Sequence, residues 1–220
     1  MSGDIDLLAH QLRPARGQPD GALVLLHGRG TNEFDLLPLL DEFDPEQRLA
    51  GLTPRAPLEL EPGGFHWYRS RQVGYPDRDT FHDAYRTLER WLDALPDALS
   101  VPWSKTVLGG FSMGAVMSYA LGLGAGRPAP AGILALSGFI PTVEGLELEM
   151  SNRDGFRVAI GHGTQDPVIP VEFGRDARRR LEHAGAHVLY RESPIFHAVD
   201  PRFVPVLRSW VSHLVGTGAA

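Results

Sequence analysis

The stretch that decides the fold is Thr106-Val-Leu-Gly-Gly-Phe-Ser-Met-Gly114, in which an apolar run meets two glycines and then a serine. The apolar run is typical of a buried strand, and residues 113–123 have the spacing of a helix. A serine at so sharp a strand-to-helix turn needs small neighbours, here Gly110 and Gly114, because larger side chains would collide with the adjacent strand and helix. The pattern predicts a nucleophilic Ser112 at the end of a sheet.

Short apolar runs recur along the chain, and the segments between them have helical spacing. The runs are residues 22–26, 106–108, 133–136, 156–160 and 187–190, with a weaker one at 48–53. Helices are predicted over 81–95, 113–123, 171–184 and 201–214, the first capped by Asp79 or Thr80 and stopped by Pro96. This alternation predicts the α/β class, with one domain over residues 1–220 and a mostly parallel sheet covered by helices on both faces.

Composition excludes several classes of protein. Since none of the 220 residues is cysteine, a disulfide scaffold, a Cys-ligated zinc site and a thiol nucleophile are ruled out. A net charge of −6 argues against nucleic acid as the main partner. The basic cluster Arg175, Arg178, Arg179 and Arg180 has Asp176 and Glu182 interspersed, as on a solvated helix face. No signal peptide is apparent and the longest apolar run is 22–26, so we expect a cytoplasmic protein without stable membrane insertion.

A serine hydroxyl becomes a strong nucleophile when a base removes its proton and an acid orients that base. In this type of sheet the acid and then a histidine follow the serine along the chain, each in a loop after a strand. Asp166 directly follows the strand predicted at 156–160, although an Asx turn before Pro167 would also explain it. Of the nine histidines, His197 lies between the last predicted strand and the last predicted helix. Ser112, Asp166 and His197 are therefore the predicted catalytic residues.

Two backbone N–H groups are needed to hold the negatively charged oxygen that forms during acyl transfer. Met113, the residue after the nucleophile, is expected to supply one of them. The other is expected from the glycine-rich loop His27-Gly-Arg-Gly30, which follows the first apolar run. An ordinary tight turn between a strand and a helix is the alternative interpretation of that loop.

Together these residues resemble the carboxylesterase/phospholipase (acyl-protein-thioesterase-like) family of the α/β-hydrolases. The resemblance runs through Leu25-Leu-His-Gly-Arg-Gly30, Gly109-Gly-Phe-Ser-Met-Gly114, Leu136-Ser-Gly138, His162-Gly-Thr-Gln-Asp-Pro167 and Phe196-His197. It implies a compact fold without a large lid, and hydrolysis of carboxylic esters by Ser112, Asp166 and His197. It also implies that the N–H of Arg29 is the oxyanion donor of the first loop. No metal and no organic cofactor are expected.

Three positions depart from the pattern of that family, which commonly has Leu at Arg29, Gln at Met113 and Gly at Phe196. The first two residues would donate through the backbone, so the chemistry is expected to survive. A cationic Arg29 favours an acidic or polar substrate, or else lies on the surface. The candidate residues of the substrate pocket are Phe65, Trp67, Tyr68, Ile140, Val168 and Phe196. Core packing of Trp67 is an equally good interpretation.

The sequence therefore predicts a serine carboxylesterase that acts on small or medium acyl chains of a small-molecule ester. A thioesterase or lysophospholipase would use the same residues on a different leaving group or acyl chain. From another class, a hydrolase fold that only binds ligands is disfavoured, because a binding protein has no need of a poised base. The sequence leaves open whether exposed apolar surface forms a homodimer.

Overall fold

The computed structural model describes residues 5–151 and 153–216. Its strands are β1 (His10–Arg13), β2 (Gly21–Leu26), β3 (Leu49–Pro54), β4 (Leu58–Glu59), β5 (Phe65–His66), β6 (Ser70–Gln72), β7 (Tyr75–Pro76), β8 (Thr106–Phe111), β9 (Gly132–Leu136), β10 (Arg157–Gly163) and β11 (His187–Ser193). Its helices are α1 (Leu37–Phe43), α2 (Arg78–Leu99), α3 (Met113–Gly122), α4 (Val171–His183) and α5 (Val204–Val215), with 3₁₀ turns at Ile5–Leu7 and Trp103–Lys105.

Seven of these strands form the main sheet, in the order β1-β3-β2-β8-β9-β10-β11. Every neighbouring pair is parallel except β1 with β3. Parallel strands need crossover connections, and here helices on both faces of the sheet supply them, except between β9 and β10, where the described residues form no helix. The predicted mostly parallel sheet between helices is thus confirmed.

Strand β2 shows why the apolar runs are buried on both sides. Successive side chains of a strand alternate between faces, so Leu23 and Leu25 lie on one face and Val24 and Leu26 on the other. The first pair packs in a core with residues of α1 and α5, and the second pair in a core with residues of α2 and α3. A third core lies between β9, β10, α3 and α4. A strand that serves two cores has no polar face, which accounts for the uninterrupted apolar run.

Helix α2 is longer than its predicted range of 81–95 at both ends. Asp77 caps it by accepting the N–H of Thr80, in place of the predicted Asp79 or Thr80. Pro96 lies inside the helix and does not stop it, so the prediction of a stop there was wrong. The last turn survives the missing N–H because Leu99 packs on the core, and the helix ends at Ser100 in a left-handed conformation.

Two elements of the main fold, β1 and α1, were not predicted. Strand β1 has no apolar face, since its one apolar residue, Leu12, is exposed and the other three are half-buried polar residues, and α1 is only seven residues long. None of the helices in residues 5–151 and 153–216 is both long and apolar enough to cross a membrane.

The turn between β8 and α3 packs against the end of β2 with almost no space between the backbones. A Cβ atom at Gly114 would overlap the carbonyl of Leu26, and one at Gly110 would lie 2.5 Å from the carbonyl carbon of Gly114. These obstacles are backbone atoms, which cannot move aside as the tip of a side chain can. The two glycines therefore fix how closely Ser112 approaches the end of β2.

We expect Gly114→Ala to lower the free energy of unfolding by about 3 kcal/mol, because the added methyl forces α3 away from β2. Urea unfolding followed by far-UV circular dichroism measures this change. Gly17→Ala is the matched control, since a Cβ there meets no atom within 4 Å and the change should stay within about 0.5 kcal/mol. An equally small effect at Gly114 would contradict the steric argument.

Candidate active site

Ser112 lies between β8 and α3 with φ 56° and ψ −120°, a conformation that residues other than glycine seldom adopt. Its N–H donates to the carbonyl of Leu136 at the end of β9, and its carbonyl accepts the N–H of Val116 in the first turn of α3. These bonds hold the backbone. The residue is 6% exposed, and its side chain faces the edge of the sheet at which the strands end.

A continuous hydrogen-bond relay joins Ser112, His197 and Asp166. The Oγ of Ser112 lies 2.9 Å from Nε2 of His197, and Nδ1 of His197 lies 2.6 Å from Oδ2 of Asp166. A carboxylate only accepts, so the proton of the neutral imidazole is on Nδ1. This leaves Nε2 as the acceptor for the hydroxyl of Ser112, which is the arrangement that a general base requires.

Asp166 is held in place by its own turn. Its Oδ1 accepts the backbone N–H groups of Val168 and Ile169, both at 2.8 Å, and its side chain is fully buried. The Asx turn that the sequence offered as an alternative is therefore present together with the bond to His197. One carboxylate oxygen fastens the loop and the other orients the imidazole.

The loop that carries His197 is fastened to the end of β11 by a buried carboxylate. Asp200 accepts the hydroxyl of Ser193 at 2.5 Å and binds Arg202 at 3.0 Å. These hydrogen bonds, that of Arg202 first, hold the pKa of Asp200 well below its ordinary value. The ring of Phe111 packs on His197 with the centroids 4.7 Å apart. The base is thus supported at its ring by Phe111 and in its loop by Asp200.

The sequence assigned no role to His162, which the structure places beneath the acid. Its Nε2 donates to the carbonyl of Ile169 at 2.8 Å and lies 3.7 Å from Oδ2 of Asp166. Its Nδ1 is buried and has no hydrogen-bond partner among the described residues. Burial is the main reason why the pKa of His162 lies below the ordinary histidine value. His162 is a neutral support for the turn of Asp166.

The sequence also set aside His27, which fixes the peptide between Gly28 and Arg29. The N–H of Ala56 donates to Nε2 of His27 at 3.0 Å, so the ring proton is on Nδ1, 2.7 Å from the carbonyl of Gly28. The hydroxyl of Thr31 donates to the same carbonyl at 3.1 Å. A carbonyl and the following N–H point in opposite directions across one peptide, so these two bonds set the direction of the Arg29 N–H.

The two predicted oxyanion donors, Arg29 and Met113, lie with Ser112 on the wall of one cavity. Neither N–H donates to an acceptor within residues 5–151 and 153–216. For Met113 this follows from its place as the first residue of α3, where the helix itself offers no acceptor. Both groups are thus available to a ligand at Ser112.

This cavity has a volume of about 360 Å³ and opens beside Ser112. Its lining is half apolar and half polar: Arg29, Tyr68, Ser70, Arg71, Gln72, Val73, Gly74, Ser112, Met113, Phe139, Val168 and Ile169. Of the six predicted pocket residues, Tyr68 and Val168 line it. The short hairpin β6–β7, which the sequence did not predict, forms a large part of the wall.

The other four predicted pocket residues lie elsewhere. Trp67 is fully buried and its indole N–H donates to the carbonyl of His27, so it supports the oxyanion loop from below. Ile140 is part of the core beside α3 and α4, while Phe65 packs under Arg55 and bonds with its backbone to Thr31. Phe196 is 67% exposed. None of these four residues lines the cavity. For Phe65 and Trp67 the reason is that aromatic residues in a loop suit a core as well as a pocket.

The α/β-hydrolase class is defined by a parallel sheet between helices, a serine at a strained strand-to-helix turn, and an acid and a histidine in loops after later strands. The described residues have all of these features. The Phospholipase/Carboxylesterase family model matches residues 10–215. The chain belongs to this family, as its resemblance predicted.

Individual proteins agree with this assignment. An acyl-protein thioesterase 1 of Debaryomyces hansenii is 33% identical over 147 residues, which cover 60% of this chain and 61% of that protein. A putative hydrolase, MhqD of Bacillus subtilis, is 29% identical over 171 residues, with 78% and 82% covered. The crystal structure of a carboxylesterase of Bacillus cereus superposes with a TM-score of 0.82 at 26% identity, with 94% of each chain covered.

The buried, neutral His162 predicts how stability depends on pH. Its folded pKa is lowered, so below about pH 6.5 the unfolded chain binds a proton that the folded chain does not. The free energy of unfolding should therefore fall as pH drops from 6.5 towards the lowered folded pKa, by up to about 1.4 kcal/mol per pH unit for this residue.

Urea unfolding at a series of pH values from 8 to 5 tests this expectation. His162→Gln should show a shallower loss of stability than the wild type, whereas His213→Gln, a change at an exposed histidine of α5, should keep the wild-type slope. Equal slopes for the wild type and His162→Gln would contradict a neutral His162.

Proposed function

We propose that the protein is a serine hydrolase that cleaves carboxylic esters of small to medium acyl chains through an acyl-enzyme. The observation that carries this proposal is the relay from Asp166 Oδ2 through His197 to Ser112 Oγ, with distances of 2.6 and 2.9 Å. A relay of this geometry converts an unreactive hydroxyl into a nucleophile. The available N–H groups of Arg29 and Met113 in the same cavity support the proposal.

In the first half of the reaction, Ser112 Oγ attacks the ester carbonyl while His197 Nε2 takes the hydroxyl proton. The carbonyl oxygen becomes negatively charged and accepts hydrogen bonds from the N–H groups of Arg29 and Met113. The bond to the alcohol oxygen then breaks, and His197 gives its proton to the departing alkoxide. Asp166 keeps the imidazole in one orientation and stabilises its charged form.

In the second half, a water molecule takes the place of the alcohol. His197 removes a proton from the water as it attacks the acyl carbonyl, and the same two N–H groups hold the oxyanion. The bond to Ser112 breaks, its oxygen regains the proton from His197, and the carboxylic acid leaves. Every proton moves through one imidazole, so neither a second base nor a cofactor is part of the scheme.

A thioesterase is the second candidate, and the similarity to acyl-protein thioesterase 1 of Debaryomyces hansenii favours it. The machinery is the same and only the leaving group differs. A series of matched acetyl, butyryl, hexanoyl and decanoyl esters and thioesters distinguishes the two by their kcat/KM values. We expect oxygen esters to be cleaved. The rate should fall for the longer acyl chains, because the cavity of about 360 Å³ is at the small end of the range for ligand pockets.

We expect Ser112→Ala to abolish ester hydrolysis, because removal of the nucleophile of such a triad costs several orders of magnitude in rate. The wild type should react covalently with a fluorophosphonate probe and Ser112→Ala should not, as intact-mass spectrometry would show. Unchanged circular dichroism is the control for folding. If the variant kept more than about a tenth of the activity, Ser112 would not be the nucleophile.

Asp166→Asn is expected to reduce kcat by about 10⁴ while the fold is retained. The N–H groups of Val168 and Ile169 pin the single side-chain oxygen of asparagine, so the NH₂ group faces Nδ1 of His197. Nδ1 must then accept, the ring proton moves to Nε2, and the base is lost. Steady-state kinetics on a neutral ester measure this effect, and a loss of less than tenfold would assign the orienting role to another carboxylate.

A further inference from the structure

The cavity beside Ser112 has an unbalanced charge. Two of its lining residues, Arg29 and Arg71, are cations, and none is an anion. The whole chain has a net charge of −6, so the charge of the cavity lining is opposite in sign to the net charge of the protein. By contrast, the surface depression that contains Arg78 and Arg86 also contains Asp79, Asp83 and Glu144.

Many other arginines of the described residues pair with nearby carboxylates. Arg55 forms a two-bonded pair with Glu33, and Arg127 binds both Glu89 and Asp93. Neither Arg29 nor Arg71 forms an ion pair or a side-chain hydrogen bond with another part of residues 5–151 and 153–216. Both guanidinium groups thus keep their hydrogen-bonding capacity for a ligand.

Asp77 interacts electrostatically with Arg71, but its carboxylate is engaged at the start of α2. Its Oδ1 accepts both the N–H and the hydroxyl of Thr80, at 3.0 and 2.6 Å. Those hydrogen bonds, ahead of the charges of Arg69 and Arg71, lower the pKa of Asp77. Asp77 therefore closes the hairpin without occupying the guanidinium of Arg71.

The segment that carries Arg71 is closed by its own hydrogen bonds. The hydroxyl of Ser70 donates to the carbonyls of Gln72 and Tyr75, and the N–H of Asp77 donates to the carbonyl of Arg69. Gly74, at φ 87°, packs on the ring of Phe173 in α4. A residue on so short and closed a hairpin is positioned before a ligand arrives, which lowers the entropic cost of binding.

The lining also changes along the cavity. Met113, Phe139 and Ile169 are buried apolar residues beside Ser112, while Arg29 and Arg71 are exposed. A ligand that fits this order has its scissile carbonyl at Ser112, a short apolar chain next to it and a negative group beyond.

We propose that the enzyme selects esters that carry a carboxylate a few carbons from the scissile bond, and that Arg29 and Arg71 bind this carboxylate. This inference rests on the proposed serine hydrolase function and names its substrate class. The carboxylate belongs either to the acyl chain or to the alcohol. Guanidinium groups suit both cases, because they bind carboxylates through paired hydrogen bonds.

Two pairs of esters, each matched in length, separate these cases. Monoethyl adipate against ethyl hexanoate tests a carboxylate on the acyl chain. The acetate ester of ω-hydroxyhexanoic acid against hexyl acetate tests one on the alcohol. The measured quantity is the ratio of kcat/KM for the anionic ester to that for the neutral ester, followed by release of acid in a pH-stat. The wild type should show a ratio of about ten or more in one pair.

Arg71→Gln and Arg29→Gln should each lower that ratio about tenfold, and Arg71→Glu should lower it further. Arg157→Gln is the matched control, because Arg157 is an exposed arginine at the start of β10, at the opposite edge of the sheet. It should keep the wild-type ratio. A ratio taken within one variant cancels differences in the amount of active protein. In the wild type, the ratio should also fall as sodium chloride is raised from 20 to 500 mM.

The inference is overturned if the wild type prefers the neutral ester in both pairs, or if its preference for an anionic ester is unchanged in Arg71→Gln and Arg29→Gln. Failure of the underlying function gives a different result. In that case the wild type would hydrolyse none of the four esters and would not be labelled by the fluorophosphonate probe.

Discussion

The backbone of Ser112, held at φ 56° and ψ −120°, is the constraint on which the site depends. A conformation of this kind costs about 1–3 kcal/mol and persists only where the surroundings compensate. Here the compensation comes from β9, whose Leu136 carbonyl accepts the N–H of Ser112, and from the two glycines that let α3 close against β2. The strain lifts the hydroxyl off the sheet and leaves the first N–H of α3 uncommitted beside it.

The parallel sheet brings the remaining groups to the same edge. The loops after β10 and β11 are tied together, since Thr164 and Gln165 donate their N–H groups to the carbonyls of Ser193 and Ile195. Asp166 and His197 therefore share one hydrogen-bonded unit. The oxyanion loop is held separately, by His27 and Trp67 below it and by the contact of Gly64 with Gly30 above it. Each group is thus held in place by the protein itself, and the proposed reaction would need little reorganisation.

The sequence predicted the sheet and its helices better than the residues that line the cavity. Wholly apolar runs identified the parallel strands because such strands are buried on both faces, and the chain order of serine, acid and histidine singled out the three residues that the relay joins. His27 and His162 were passed over, because a histidine that stabilises a loop from below has the same local sequence as one with no role. Trp67 was ambiguous for a similar reason, since only its bond to the His27 carbonyl shows that it faces inwards.

The hairpin β6–β7 forms a sheet of its own and contributes no strand to the main one. It nevertheless supplies five of the residues that line the cavity, Ser70 to Gly74. In the proposed enzyme, substitutions in this hairpin would change the lining of the cavity without breaking a hydrogen bond of the main sheet. Selection for new substrates and selection for a stable scaffold thus act on different residues of the chain. Related proteins can therefore differ in the substrates that they accept while they keep the same fold.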